Sequence, residues 1–275
     1  MKGRAMYRFK HQTQVILLMI CSVFVFSCST VPVTGRKQLS LVPQSEMLAM
    51  STQEYSSFLK QNKLSSDQKA TSLVRAVGGK IQGAVERYFR EKGMSDQLNG
   101  YKWEFNLVDS KEVNAWCMPG GKVVVYTGIL PVTKDDNGLA VVMGHEIAHA
   151  VAQHGNERMS QELLAQYGGM ALSEALASKP AETKQLWMSA FGAGVQVGAL
   201  LPFSRTQETE ADHLGLIFMA MAGYDPQGAV TFWQRMAQQS GGNAPPEFLS
   251  THPSDQSRIE KIQGELPEAM KYYKH

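Results

Sequence analysis

The stretch GLAVVMGHEIAHAVAQH, residues 138–154, sets the strongest constraint on how this chain folds. It is apolar on most sides, through Leu139, Val142, Met143, Ile147, Ala150 and Val151, yet it also carries His145, Glu146 and His149. Asp135, Asp136 and Asn137 offer N-caps just ahead of it, so the segment reads as a helix. A buried helix does not hold two histidines and a glutamate without compensation, and a metal ion supplies it. On a helix His145 and His149 lie about 40° apart around the axis, so both imidazoles can grip one ion. Glu146 lies about 100° from His145, beside that face, where it can touch a water on the metal without becoming a ligand. This is the HExxH arrangement. His154 lies about 180° from His145 and reads as a structural or surface residue.

Two histidines do not complete a catalytic zinc site, which takes three protein ligands and keeps one position open. The other histidines are His11, His213, His252 and His275. Carboxylates also serve, and SRTQETEAD, residues 204–212, offers two. Ser204 and Gln207 have the form of a capping box that starts a helix. Glu208 and Asp212 then share one face, four residues apart. Glu208 is the candidate third ligand. Asp212 is placed to accept a ring N–H from a ligating histidine. Glu210 points about 200° away from Glu208. The plain alternative for Glu208 and Asp212 is a solvated acidic face.

The remaining elements form an α+β pattern, mostly helical. Helical spacing runs from Ser45 to about Arg90. Residues 101–109, 113–118 and 122–127 read as strands of a small antiparallel sheet, with Pro119, Gly120 and Gly121 as a turn. Trp116 and Cys117 read as packing residues. Asp225-Pro226 starts a further helix, and Ser254 is a candidate cap for a last one. The uncharged run at 187–203 is marginal for crossing a bilayer. It reads as a helix that covers the active site or rests near a membrane.

The chain has 275 residues, 43% hydrophobic and 19% charged, which suits one large globular domain. A net charge of +2 with no long basic run gives no basis for nucleic-acid binding. Lys2, Arg4, Arg8 and Lys10 precede VILLMICSVFVF, residues 15–26, which suits a signal-peptide core better than a membrane span. VFSC, residues 25–28, resembles the lipobox of a bacterial lipoprotein. Residues 1–27 are thus expected to leave, with Cys28 acylated as a membrane anchor, residues 28–45 a tether and 46–275 the folded domain. A plain secretory signal or an uncleaved anchor is the alternative. Only Cys117 then remains as a thiol, so no internal disulfide can form. Ser29, rather than Asp, follows Cys28, and an outer-membrane position facing the periplasm is expected.

HEIAHAVAQH, LPFSRTQETEAD and STHPSDQSRI together resemble the zinc metallopeptidases of family forty-eight, the HtpX-like and CAAX-prenyl-endopeptidase group. The likeness is to its soluble bacterial lipoprotein branch and its mitochondrial inner-membrane relative, and runs from PVTGRKQL at residue 32 to the last helix. It implies a zincin, gluzincin-like domain with one zinc ion held by His145, His149 and Glu208. It implies Glu146 as general base and Asp212 as the residue that orients a ligand histidine. It implies a cleft lined by residues 114–121, with peptide adding as a strand along KVVVYT. It also implies an endopeptidase of the bacterial cell envelope that degrades misfolded or misassembled envelope proteins.

The oxyanion formed during peptide hydrolysis needs a donor, and His252 and Arg205 are candidates. His252 can instead be a fourth ligand that gates the zinc, or can brace the last helix. A non-proteolytic envelope chaperone or assembly factor with a closed zinc site is the rival function. A purely structural zinc site is a weaker one, because such sites favour cysteine.

Overall fold

The computed structural model describes residues 28–31, 34–167, 174, 177–178, 180–190, 203–239, 247–252 and 256–274. The leader, most of the apolar run at 187–203, and the expected cap Ser254 lie outside the described residues.

The described residues begin with a hairpin of β1 (Cys28–Thr30) and β2 (Lys37–Leu39). Two helices follow, α1 (Gln44–Gln61) and α2 (Gln68–Glu91), the second capped by the Asp67 carboxylate on the Ala70 amide. A sheet of β3 (Glu104–Val108), β4 (Ala115–Met118) and β5 (Lys122–Tyr126) comes next. After a short helical turn at Leu130–Thr133 come the helices α3 (Asp136–Val151), α4 (His154–Tyr167), α5 (Pro180–Ala190), α6 (Arg205–Met221), α7 (Gly228–Gln238), α8 (Glu247–Thr251) and α9 (Gln256–Ala269). The α+β, mostly helical class expected from the sequence is the one observed.

The sheet order differs from the expectation. β5 sits in the middle, antiparallel to β4 and parallel to β3. The sheet is therefore mixed, and KVVVY is its centre, so the edge next to the helical site is β4. The cause is the turn at Pro119, Gly120 and Gly121. Both glycines have positive φ, 81° and 78°, and fold β5 back between the two earlier strands. Alternation then serves both faces. Val123 and Val125 join the core shared with α2, α3 and α6. Val124 and Tyr126 join a second core with Trp116, Phe58, Met159 and Trp187. Trp116 and the buried Cys117 are packing residues, as their sequence context suggested.

The expected tether is folded against the domain. Gln38 donates to the Ala152 carbonyl at 3.2 Å, the Leu41 amide donates to Ser160 Oγ at 2.8 Å, and Val31 is buried. Among the described residues no helix is long and apolar enough to cross a membrane.

The helix α3 runs through the core, buried from Gly138 to Val151. A helix apolar nearly all round must be covered on every side. Its closest partner is α6, and the two backbones touch where Gly144 faces Gly215. A Cβ on Gly215 would lie 2.9 Å from the His145 amide nitrogen and 3.1 Å from the Gly144 carbonyl carbon. This crossing brings the HExxH residues within reach of Glu208 and Asp212. Gly215→Ala should force the helices apart at a cost of about 1–3 kcal/mol. At about 2–4 °C per kcal/mol for a chain of this size, calorimetry should show a clear fall in melting temperature. An unchanged melting temperature would show that the crossing is not tight.

Candidate metal centre

Three separate segments place the polar groups. The first is α3, capped by Asp135, which accepts the Gly138 amide at 2.8 Å. It presents His145, Glu146 and His149, all buried. The second is α6, whose Ser204–Gln207 capping box forms in full as the sequence indicated. It presents Glu208 and Asp212. The third is the chain following α8, which delivers His252, also buried.

Four ligand atoms converge. His149 Nε2 lies 3.0 Å from His145 Nε2 and 3.3 Å from Glu208 Oε1. His252 Nδ1 lies 3.2 Å from His145 Nε2 and 2.9 Å from Glu208 Oε1. Donors at about 2.0–2.2 Å around a tetrahedral zinc would be separated by about 3.3–3.6 Å. The cluster is thus slightly tighter than a filled tetrahedron and of the right shape for one ion.

Proton placement makes the same point. His145 Nδ1 donates to Asp212 Oδ1 at 2.9 Å. His149 Nδ1 faces His154 Nδ1 at 2.9 Å, and His154 Nε2 donates to Glu210 Oε2 at 2.9 Å. Because Glu210 takes the Nε2 proton of a neutral His154, His154 Nδ1 accepts and His149 Nδ1 donates. Burial holds His145 below its usual pKa, against the pull of Asp212, and holds His149 well below it. Both rings are neutral, with their protons on Nδ1. Their Nε2 lone pairs then face each other at 3.0 Å. A metal cation bound by both relieves that repulsion, and the set of imidazoles and carboxylate suits zinc.

The buried carboxylates differ in environment. Burial alone would raise Glu208, but the guanidinium of Arg258, then His252 and His145, outweigh it and hold Glu208 well below the usual range. Asp212 is likewise held low against its burial, by a two-point hydrogen bond from Arg258 at 2.8 Å and by His145. For Glu146 burial outweighs the pull of His252 and Arg258. Its Oε1 is buried without a hydrogen bond, 3.4 Å from His252 Nε2, and burial raises its pKa to about 7. A carboxylate near neutrality is what a general base requires.

The structure brings together every ligand the sequence suggested, His252 among them in the fourth-ligand position that was one of its expected roles. It does not bring Arg205 there. That residue is exposed at the start of α6, on an open surface cleft with Arg36, Glu210 and Lys261. The buried cation at the centre is Arg258, stacked 3.5 Å over the Trp233 ring and ion-paired to Glu208 and Asp212. The only sequence signal for Arg258 was an arginine in the last helix, between Ser257 and Ile259. His154 was expected to face away from the site. It touches His149 instead, because α3 ends at Val151 and Gln153 takes a left-handed φ of 60°. The helical angle assumed for His154 ceases to apply at that break. Phe203 lies over the His149 ring at 3.9 Å between centroids.

A helix-borne HExxH pair, a glutamate from a second helix and a carboxylate behind one ligand define a zinc metallopeptidase. Comparison with known proteins agrees. The profile of Peptidase family M48 matches residues 75–266. The chain belongs to this family. It is 41% identical over 191 residues to the mitochondrial metalloendopeptidase OMA1 of Schizosaccharomyces pombe, a match that covers 69% of this chain and 53% of that one. It is 30% identical over 262 residues to the protein of that name in Saccharomyces cerevisiae, covering 92% of this chain and 73% of that one. It is 34% identical over 161 residues to the beta-barrel assembly-enhancing protease of Yersinia pestis, covering 57% and 33%. The chain thus spans about half the length of the S. pombe relative. These matches overturn the outer-membrane, periplasm-facing location expected from the leader, because the likeness that covers most of the chain is to mitochondrial enzymes. That expectation rested on the lipobox-like VFSC at 25–28 and on Ser29, a few residues set against a likeness that covers most of the chain.

The buried histidines set the acid limit of the metal-free protein. His145, His149 and His154 all titrate below their usual value, chiefly because burial disfavours the charged ring. Groups of depressed pKa stabilise the fold above their unfolded value, near 6.5, and lose that contribution as pH falls. Glu146, raised to about 7, works in the opposite direction, one group against three. The melting temperature in chelator should therefore fall as pH drops from about 7 to 5.5. A flat profile would mean that these rings are not buried as neutral groups.

Proposed function

We propose that this chain is a zinc-dependent endopeptidase acting on unfolded or misassembled proteins. The observation that carries it is the facing pair of unprotonated Nε2 atoms beside Glu208, with the hydrogen-bond-free Glu146 oxygen next to them. His145, His149 and Glu208 would hold the zinc. When bound, zinc supplies Lewis acidity toward a peptide carbonyl and lowers the pKa of water. Glu146 takes the proton of the attacking water and passes it to the departing amine. Asp212 keeps the His145 proton on Nδ1, which leaves Nε2 free to bind. The substrate would add as a strand along β4, the sheet edge made of Ala115–Met118. Action on misassembled proteins is supported by the likeness to the beta-barrel assembly-enhancing protease of Yersinia pestis.

The position of His252 favours a second reading. Its Nδ1 occupies the fourth corner of the ligand set. A catalytic zinc keeps that corner open. Either the enzyme is gated and His252 swings out, or the site is closed and the protein is a chaperone or assembly factor.

Cleavage of casein by the zinc-loaded protein separates these. Glu146→Gln should retain zinc and lose activity by about 10²–10⁴-fold. His252→Ala should cleave faster than wild type if the site is gated. No cleavage by wild type or His252→Ala, with one zinc bound to each, would sink the peptidase reading and leave the closed one.

A further inference from the structure

The N-terminal arm reaches the metal centre through a chain of polar contacts. The Arg36 Nε donates to Glu210 Oε2 at 2.8 Å. Thr34 Oγ1 donates to the other oxygen of the same carboxylate. Glu210 accepts from His154 Nε2, and His154 Nδ1 accepts from the Nδ1–H of His149, each at 2.9 Å. The two terminal nitrogens of Arg36 also grip Glu157 on α4, at 2.9 and 2.8 Å. Arg36 is thereby fixed at all its donor nitrogens, and its planar fork matches this geometry as no lysine would. Glu210 is locked in turn, since its carboxylate accepts from His154, Thr34 and Arg36.

Each HExxH histidine thus has its own backing carboxylate. For His145 it is Asp212, one turn beyond Glu208 on α6. For His149 it is Glu210, acting through His154. The second system spans four segments, since the carboxylate on α6 is aimed by the arm before α1. A hydrogen bond to the far nitrogen of a ligand histidine fixes its tautomer and ring orientation and raises its basicity.

We propose that Arg36 is a positioning residue of the metal centre, setting the ring of His149 through Glu210 and His154. This rests on the reading of His149 as a zinc ligand. A bland clamp between α4 and α6 would account for the contacts of Arg36 with Glu157 and Glu210. It would not require the clamped Glu210 carboxylate to accept from His154 as well, whose other ring nitrogen meets His149.

The test is zinc affinity of the full chain, measured by competition with a chromophoric chelator well below the melting temperature, with the visible spectrum of the cobalt-substituted protein alongside. Arg36→Gln should weaken zinc binding about 10–100-fold and shift the cobalt bands, and Arg36→Lys should recover part of the loss. Glu157→Gln removes the clamp and spares the relay. It should lower the melting temperature while zinc affinity changes by well under tenfold. Unchanged affinity and spectrum in Arg36→Gln would overturn the proposal, as would equal losses in Arg36→Gln and Glu157→Gln. If Arg36→Gln does not fold, Arg36→Lys decides on the same readouts, weakened binding supporting and unchanged binding overturning the proposal. A wild type that binds no zinc would instead overturn the underlying metal reading.

Discussion

Two ring nitrogens, His145 Nε2 and His149 Nε2, face each other at 3.0 Å in the core with their protons committed elsewhere. Such a contact is repulsive unless a cation lies between them. Much of the surrounding structure serves to maintain it. The α3 helix is buried along its length so that the rings stay neutral, and Gly144 and Gly215 let α6 approach closely enough to bring Glu208 alongside. The energy of metal binding then becomes part of the folding energy, because the unfolded chain has no such site.

Electrostatics divide the three central carboxylates into two kinds. Glu208 and Asp212 are held ionised by Arg258, itself sandwiched against Trp233. Glu146 sits one residue after a ligand, yet has no hydrogen bond to its inner oxygen. The same burial that would be a liability at a structural position gives Glu146 a pKa near the working pH. One ligand-type carboxylate and one base-type carboxylate thus arise from residues of the same chemistry.

What the sequence disclosed, and what it hid, follows from distance along the chain. His145, Glu146 and His149 were legible because helical spacing alone places them, and Glu208 with Asp212 for the same reason. The capping box at Ser204 was legible from four residues. Contacts that depend on where separate segments meet were not. His252 was named as a candidate fourth ligand but its role stayed open, because it arrives from 107 positions beyond His145, and Arg258, from the last helix, was not singled out. His154 was misplaced because the left-handed Gln153 breaks the helix just before it. The order of the sheet was hidden too, since β5 pairs with β3 across an intervening strand. Arg36 looked like part of a tether, and only the folded hairpin shows it reaching Glu210.

The central claim is that one zinc ion sits among His145, His149, Glu208 and His252. X-ray absorption at the zinc edge of the zinc-loaded protein tests it most directly. The expected result is one ion per chain, surrounded only by nitrogen and oxygen at about 2.0–2.2 Å, with the multiple-scattering signature of two imidazoles, or of three where His252 is bound. Sulfur at about 2.3 Å, which Cys117 would supply, or fewer than two imidazoles, would contradict it.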